Sequence, residues 1–215
     1  MEFPKEIKSI VGDTPYIKDN IGRSEDITYI FEDKYILKVS TDSNRLLREK
    51  EKIDWMIKYI PGPKSLAYVK TEKYHFYLRE CLSGDSLISK RFMDNPNELI
   101  EILSKIINLL KTLDKYQCPF KSNDNEGNEF IHGDLCLPNI YVNSKNDFIG
   151  FIDVENAGLG DRWYDYAWLL WSFEYNLKTN KYNDILLNKF GIKFDKNKYD
   201  KYIPKENRDE LNQYK

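Results

Sequence analysis

Asp134, Asn139 and Asp153 are a carboxylate, an amide and a second carboxylate at spacings that can serve one reaction. Asp134 follows His132-Gly133, Asn139 stands five residues later, and Asp153 ends the apolar run Phe148 to Ile152, fourteen residues beyond Asn139. A carboxylate with a reference pKa of about 3.9 is ionised at neutral pH, and as a weak base it orients a hydroxyl and accepts its proton late. An amide oxygen and a second carboxylate are hard donors of the kind magnesium takes, and magnesium offsets charge on a transferring phosphoryl group. His132 reads as a prop of this loop through hydrogen bonds, because the only other histidine, His75, is far away in sequence. Pro138 stiffens the loop, and Cys136 fills space.

These offsets are those of the kinase catalytic loop H-R-D-x-x-x-x-N with its later metal-binding Asp, Gly133 replacing the Arg. The stretches HGDLCLPNI and GFIDVENAGLGDRWYDYA resemble the aminoglycoside phosphotransferases, above all the kanamycin-kinase 3'-phosphotransferase branch. The resemblance implies an α+β, protein-kinase-like fold of two lobes. Residues 1–82 would form a nucleotide-binding lobe of sheet plus helix, and residues 83–215 a mainly helical lobe with catalytic loop, metal site and acceptor cleft. It implies transfer of the γ-phosphate of ATP or GTP, with Mg2+, to a hydroxyl of a small molecule, an aminoglycoside first. Asp134 would be the catalytic residue, and Asn139 and Asp153 the metal ligands. Two alternatives stand beside this: a kinase of another hydroxylated metabolite, such as a sugar or amino alcohol, and a nucleotide-binding regulator without turnover. The joint presence of Lys38, Asp134, Asn139 and Asp153 argues against the second.

The elements that must position these groups are legible as patterns. Ile27 to Phe31 and Tyr35 to Val39 are β-prone runs joined by Glu32-Asp33-Lys34, which predicts a hairpin. Gly22-Arg23-Ser24 precedes it, and the resemblance makes Ser24 a contact for the nucleotide phosphates. Lys38 lies in the second run, and eleven residues on, Glu49 falls in a helical pattern with Leu46, Leu47, Ile53, Met56, Ile57 and Ile60. A strand Lys and a helix Glu in this order match the ion pair that addresses the α- and β-phosphates in kinases. Two further runs, 66–69 and 74–78, complete a small antiparallel sheet. Arg79 to Gly84 then reads as the linker, and the resemblance implies that Arg79 and Cys81 meet the adenine edge through backbone C=O and N–H groups. Asn95-Pro96 opens a long helix with an apolar stripe from Leu99 to Leu113, and the polar stretch 117–128 is a loop. The resembled kinases carry a helical insertion here that forms part of the antibiotic site, and this chain lacks it.

Only nine residues separate Asp153 from the Trp163 helix, too few for the activation segment that presents peptides to protein kinases. The acceptor is therefore expected to be small. An aminoglycoside needs convergent carboxylates, and Glu155, Asp161 and Glu174 are the candidates for acceptor binding, with Asp124, Glu126, Glu129 and Asp184 in the wider pool. Asp165, on a helix rich in Trp and Tyr, reads as a buried brace to the catalytic loop. The tail from Lys205 reads as frayed or laid across the acceptor cleft.

Composition narrows the partners. The formal net charge is −2, from 33 basic and 35 acidic residues, so no basic field points to nucleic acid or an anionic membrane. The longest apolar run, Ala167 to Trp171, is far below the roughly 20 residues a membrane span needs. Three cysteines without C-x-x-C spacing suggest neither a disulfide frame nor a zinc site, and the opening residues have no apolar targeting core. Both point to a cytoplasmic protein whose partners are a nucleotide and a small acceptor, with oligomeric state undetermined.

Overall fold

The computed structural model describes residues 1–19, 26–41, 44–122 and 126–214. Ser24, expected at the phosphates, and Asp124, in the acceptor pool, fall outside them. The chain divides into two compact units, one of residues 1–83 with 149–151 and one of residues 84–148 with 152–215.

The first unit is built on a five-stranded antiparallel sheet. Its strands are β1 (Tyr16–Asp19), β2 (Ile27–Phe31), β3 (Tyr35–Ser40), β4 (Ser65–Lys70) and β5 (His75–Glu80), in the order β1-β2-β3-β5-β4. The expected β2–β3 hairpin forms. Its turn places Glu32 and Asp33 at positive φ (44° and 55°), the mirror-image turn whose twist matches that of the strands it joins. Period-2 alternation sorts β3 between two faces. Leu37 and Val39 join Phe31, Phe76 and Leu78 in a core closed by Ile7 and Val11 of α1 (Lys5–Val11), a helix absent from the sequence reading. Lys38, between them, points the other way to α2 (Arg45–Met56). The helix α2 buries Leu46, Ile53 and Met56 as its stripe predicts, and with them Glu49 and Lys52.

β5 runs two residues beyond the expected strand. Arg79 pairs with Ile36 of β3 and Ser65 of β4 and is only 4% exposed, so Arg79 and Glu80 belong to the sheet and not to a linker.

The second unit is mainly helical. It contains α3 (Lys90–Met93), α4 (Pro96–Thr112), α5 (Trp163–Leu177), α6 (Asn183–Phe190), α7 (Lys196–Tyr202) and α8 (Lys205–Leu211). In α4, with Pro at its start, Leu99, Ile102, Leu103, Ile106, Ile107 and Leu110 are all buried, the period-3.6 stripe forming the core. The tail is not frayed: Asp195 caps α7 by accepting from the Lys198 amide at 3.1 Å, and α8 buries Leu211. Short strands frame the catalytic loop: β6 (Asp85–Ser86) pairs with β8 (Ile140–Val142), and β7 (Glu129–Ile131) pairs with β10 (Gly158–Gly160). Residues Phe148–Phe151 form β9, just ahead of Asp153. No helix lies between Lys115 and Glu129 among the described residues, as expected for the short loop. None of the described helices is long and apolar enough to cross a membrane.

Candidate active site

The loop from His132 to Asn139 is held at three points. Asp165, fully buried in the first turn of α5, accepts from the backbone N–H of His132 at 2.7 Å and of Gly133 at 2.9 Å, one on each carboxylate oxygen. Burial pushes the Asp165 carboxyl up to about 7 against these two donors and nearby Arg162. Two turns along the same face, the Ser172 hydroxyl accepts from the Leu137 amide at 3.0 Å, and between them the Cys136 thiol lies 3.9 Å from the Trp168 carbonyl. The expected brace is therefore one face of α5.

The third hold is His132. Its Nδ1 accepts from the Asp134 amide at 3.2 Å, which leaves the ring proton on Nε2. Burial pushes its pKa down to about 4, so the ring is neutral and serves as the prop the sequence suggested.

Gly133 explains why this loop reads H-G-D. Its φ is +79°, and a Cβ there would lie 2.4 Å from the Asn156 carbonyl oxygen and 2.5 Å from its carbon. No side chain fits in that position.

Asn139 and Asp134 are joined directly. The Asn139 side-chain nitrogen donates to both the backbone oxygen (3.0 Å) and the carboxylate (2.9 Å) of Asp134. Both are acceptors, so the amide orientation is fixed and its oxygen must face away from Asp134, available as a hard ligand. Asp153 adopts φ +56°, a left-handed conformation unusual for a residue with a side chain. Burial raises the Asp134 carboxyl above its usual range; hydrogen bonds from Cys136 and Asn139 oppose this, and the charges of Asp153 and Glu155 add to it. Asp153 and Glu155 therefore lie within electrostatic reach of Asp134. No three His, Cys, Asp or Glu side chains converge as a metal cage among the described residues. An amide oxygen and one carboxylate fit magnesium, which retains waters and binds substrate phosphates instead of filling an all-protein shell.

In the first unit, the Lys38 ammonium meets both oxygens of Glu49 at 2.9 and 2.8 Å, with Glu49 only 2% exposed. Glu51, two residues further along α2, is exposed. The Cys81 N–H, one of the backbone groups expected at the adenine edge, donates to the Lys34 carbonyl at 2.9 Å. The Arg79 guanidinium donates to the Glu80 carbonyl at 3.1 Å.

Two of the three acceptor candidates are turned away from the catalytic loop or tied to other elements. Asp161 accepts from the Trp163 amide (3.0 Å), the Lys198 ammonium (2.9 Å) and the Tyr202 hydroxyl (2.9 Å), pinning α7 to the start of α5. Burial would raise its pKa, but these donors hold it below the usual carboxylate range. Glu174 lies about 200° around α5 from Ser172, away from the catalytic loop, and accepts from Asn183 of α6 at 2.9 Å. Glu155 alone stays beside Asp134. An aromatic stripe runs along α5 from the loop: Tyr164, which senses the Asp134 charge, Trp168, Trp171 and Tyr175 are all half-buried. Successive centroids are 6.4, 5.7 and 5.0 Å apart, the last pair stacked.

The sequence reading also missed Arg162. Its buried guanidinium donates to Asp114 at 2.7 Å and to the Phe130 carbonyl at 2.9 Å, tying the end of α4 to β7. Its partners are 48 and 32 residues away, and no local spacing could reveal them.

A buried Lys–Glu pair on a five-stranded sheet and a D-x-x-x-x-N loop braced by a helix define the protein-kinase-like class. Known proteins narrow it. Residues 123–202 match the model of the phosphotransferase enzyme family APH. The probable aminoglycoside 3'-phosphotransferase of Lactococcus lactis is 24% identical over 233 residues, covering 88% of both chains. The aminoglycoside 3'-phosphotransferase of Enterococcus faecalis is 24% identical over 257 residues, covering 94% of this chain and 97% of its own. Among solved structures, the aminoglycoside phosphotransferase APH(3'')-Id of Streptomyces rimosus, in complex with ADP and streptomycin, superposes with a TM-score of 0.76 at 16% identity. That match covers 97% of this chain and 96% of that one. Together these matches support the aminoglycoside phosphotransferase family and the protein-kinase-like fold.

Proposed function

We propose that the protein is a cytoplasmic small-molecule kinase that transfers the γ-phosphoryl group of ATP to a hydroxyl of an aminoglycoside. The observation that carries this reading is the geometry of the loop, in which Asn139 is locked to Asp134 while Asp165 and Ser172 hold the backbone around both. The acceptor oxygen attacks the γ-phosphorus, its proton passes to the Asp134 carboxylate, and the bond to the bridging oxygen breaks to release ADP. Burial that raises the Asp134 pKa makes it a better base, while the Asn139 hydrogen bond keeps it ionised and aimed. Asn139 and Asp153 would hold magnesium, which neutralises phosphate charge when bound. Lys38, held by Glu49, addresses the phosphates, and Glu155, within electrostatic reach of Asp134, is assigned to an acceptor ammonium.

A second reading, a sugar or amino-alcohol kinase, is favoured by one observation. Asp161 is spent on architecture and Glu174 faces away from the catalytic loop, whereas the Tyr164–Trp168–Trp171–Tyr175 stripe offers faces on which a ring or a single cation can stack.

The deciding experiment is a steady-state screen for ATP consumption with kanamycin, neomycin, streptomycin, choline and simple sugars, with products confirmed by mass. A phosphorylated aminoglycoside whose formation drops by about 10² or more in Asp134→Asn, with nucleotide binding kept, is the expected result. Turnover only on a neutral sugar or amino alcohol selects the second reading, and undiminished turnover in Asp134→Asn refutes the catalytic assignment.

A further inference from the structure

The second unit holds a solvent-open cavity of about 490 Å³ bordered by α5, α7, α8 and the start of α6. It has no part in the catalytic reading, since Glu174 at its floor projects from the side of α5 opposite Asp165 and Ser172. Leu170, Leu211 and the ring of Tyr199 form apolar walls.

Its polar groups are left incomplete. Glu174 is 5% exposed; one carboxylate oxygen accepts from Asn183, and the other is buried without a partner. The Asn183 amide oxygen is buried and unpartnered too. The cations bordering the cavity do not answer them, because Lys196 and Arg208 both pair with Asp200 and Lys205 is exposed. No Lys, Arg or His is within ion-pair distance of Glu174 among the described residues. A carboxylate removed from water without a counter-charge is costly, and each unfilled acceptor beside it costs roughly 1–3 kcal/mol. The Arg208 Nε is a buried donor lacking an acceptor on the same cavity. A single water, with a liquid volume of about 30 Å³, fills little of this space, which falls in the ~300–1,000 Å³ range of small-molecule pockets.

We propose that this cavity is a second ligand site, for a small protonated amino alcohol. Its ammonium is held by Glu174 and the Asn183 amide oxygen, its oxygen by Arg208 Nε, and its carbon chain by Leu170 and Leu211. Charge and hydrogen-bonding needs are both met by that chemistry, whereas a neutral diol leaves the carboxylate unanswered and an anion is repelled by it.

The test uses the full chain in amine-free phosphate buffer, titrated calorimetrically with 4-aminobutan-1-ol and, separately, with its neutral isostere 1,4-butanediol. The amino alcohol is expected to saturate one site at millimolar concentration, as suits a ligand of so few atoms, and to raise Tm; the diol is expected to bind at least about tenfold more weakly. Glu174→Gln should weaken the amino alcohol by about tenfold or more, and Leu170→Trp, which fills the cavity without removing a charge, should abolish binding. Asp134→Asn should leave it unchanged. Failure of the wild type to saturate below about 10 mM, equal affinity for the diol, retention in Leu170→Trp, or loss in Asp134→Asn would each overturn the site.

Discussion

Substituting Gly133 by Ala adds one methyl group where the backbone leaves no room. At φ +79° a side chain costs about 1–2 kcal/mol in the left-handed region, before any contact is counted. The new Cβ would sit 2.4 Å from the Asn156 carbonyl oxygen, and ordinary contact begins near 3.4 Å, so the two segments must part by 3.4 − 2.4 = 1.0 Å. Overpacking of this kind costs a further ~1–3 kcal/mol. Gly133 immediately precedes Asp134 and is clamped by Asp165, so the displacement passes to the Asp134 carboxylate. A misplacement of about 1 Å at a reacting group can cost 10² in rate. Gly133→Ala is therefore expected to lose about 2–5 kcal/mol in denaturant unfolding and about 10² in kcat, with magnesium-nucleotide affinity by calorimetry within about threefold of wild type. Asn156→Gly should not rescue it, because the two shortest contacts are to backbone atoms. Wild-type turnover in the Ala variant would show that the loop does not depend on the close approach of Asn156.

Asp165→Asn leaves one of the His132 and Gly133 N–H groups without an acceptor; it should destabilise by roughly 1–3 kcal/mol and lower kcat while sparing nucleotide binding, and urea melts with single-turnover kinetics check this. His132 has a folded pKa of about 4 against 6.5 for an ordinary histidine, so its contribution is fully present above pH 6.5 and is lost as pH falls towards 4, by about 3 kcal/mol. Asp165 titrates with the opposite sign, its raised carboxyl removing stability as pH rises through about 7. The histidine part is therefore read as the difference between wild type and His132→Gln unfolding at pH 7.5 and 4.5, and no difference would refute it. Lys38→Met strands a buried carboxylate at Glu49 and should cost about 3–5 kcal/mol, most of it recovered in Lys38→Met with Glu49→Leu; failure of the double variant to melt higher than the single would contradict this.

What the sequence disclosed follows the range of the interactions. Local periodicity was enough for the β2–β3 hairpin, for α2 and for the buried stripe of α4, because each depends on residues a few positions apart. The spacing of Asp134 and Asn139 was legible because one turn of chain brings them together. The place of Arg79 in β5 was misjudged, since it is decided by pairing with Ser65 of the preceding strand and with Ile36 of β3, a strand that lies across α2 and β4 in sequence. The bond from the Cys81 amide to the Lys34 carbonyl was out of reach for a similar reason, the two residues lying 47 positions apart. Asp161 and Glu174 were acidic residues in the right segments, yet their side chains meet Lys198, Tyr202 and Asn183, partners that only the packing of α6 and α7 supplies. Helix α8 was missed because Lys205 to Leu211 carries one buried apolar residue, too few to register as a stripe.

The crowding of aromatic rings on α5 gives the molecule an optical asymmetry. Three of its four tryptophans, Trp163, Trp168 and Trp171, belong to that one helix, and the fourth, Trp55, stands on α2 in the first unit beside Tyr59. Intrinsic emission is thus weighted towards the helix that clamps the catalytic loop, and Trp171 stacks on Tyr175 while its indole N–H donates to the Asn207 carbonyl at 2.8 Å. A ligand seating against Trp168 changes the colour and intensity of this emission without any label. With Trp55→Phe, the remaining signal comes from α5 alone, so acceptor binding can be timed in the unmodified site by mixing and watching the light.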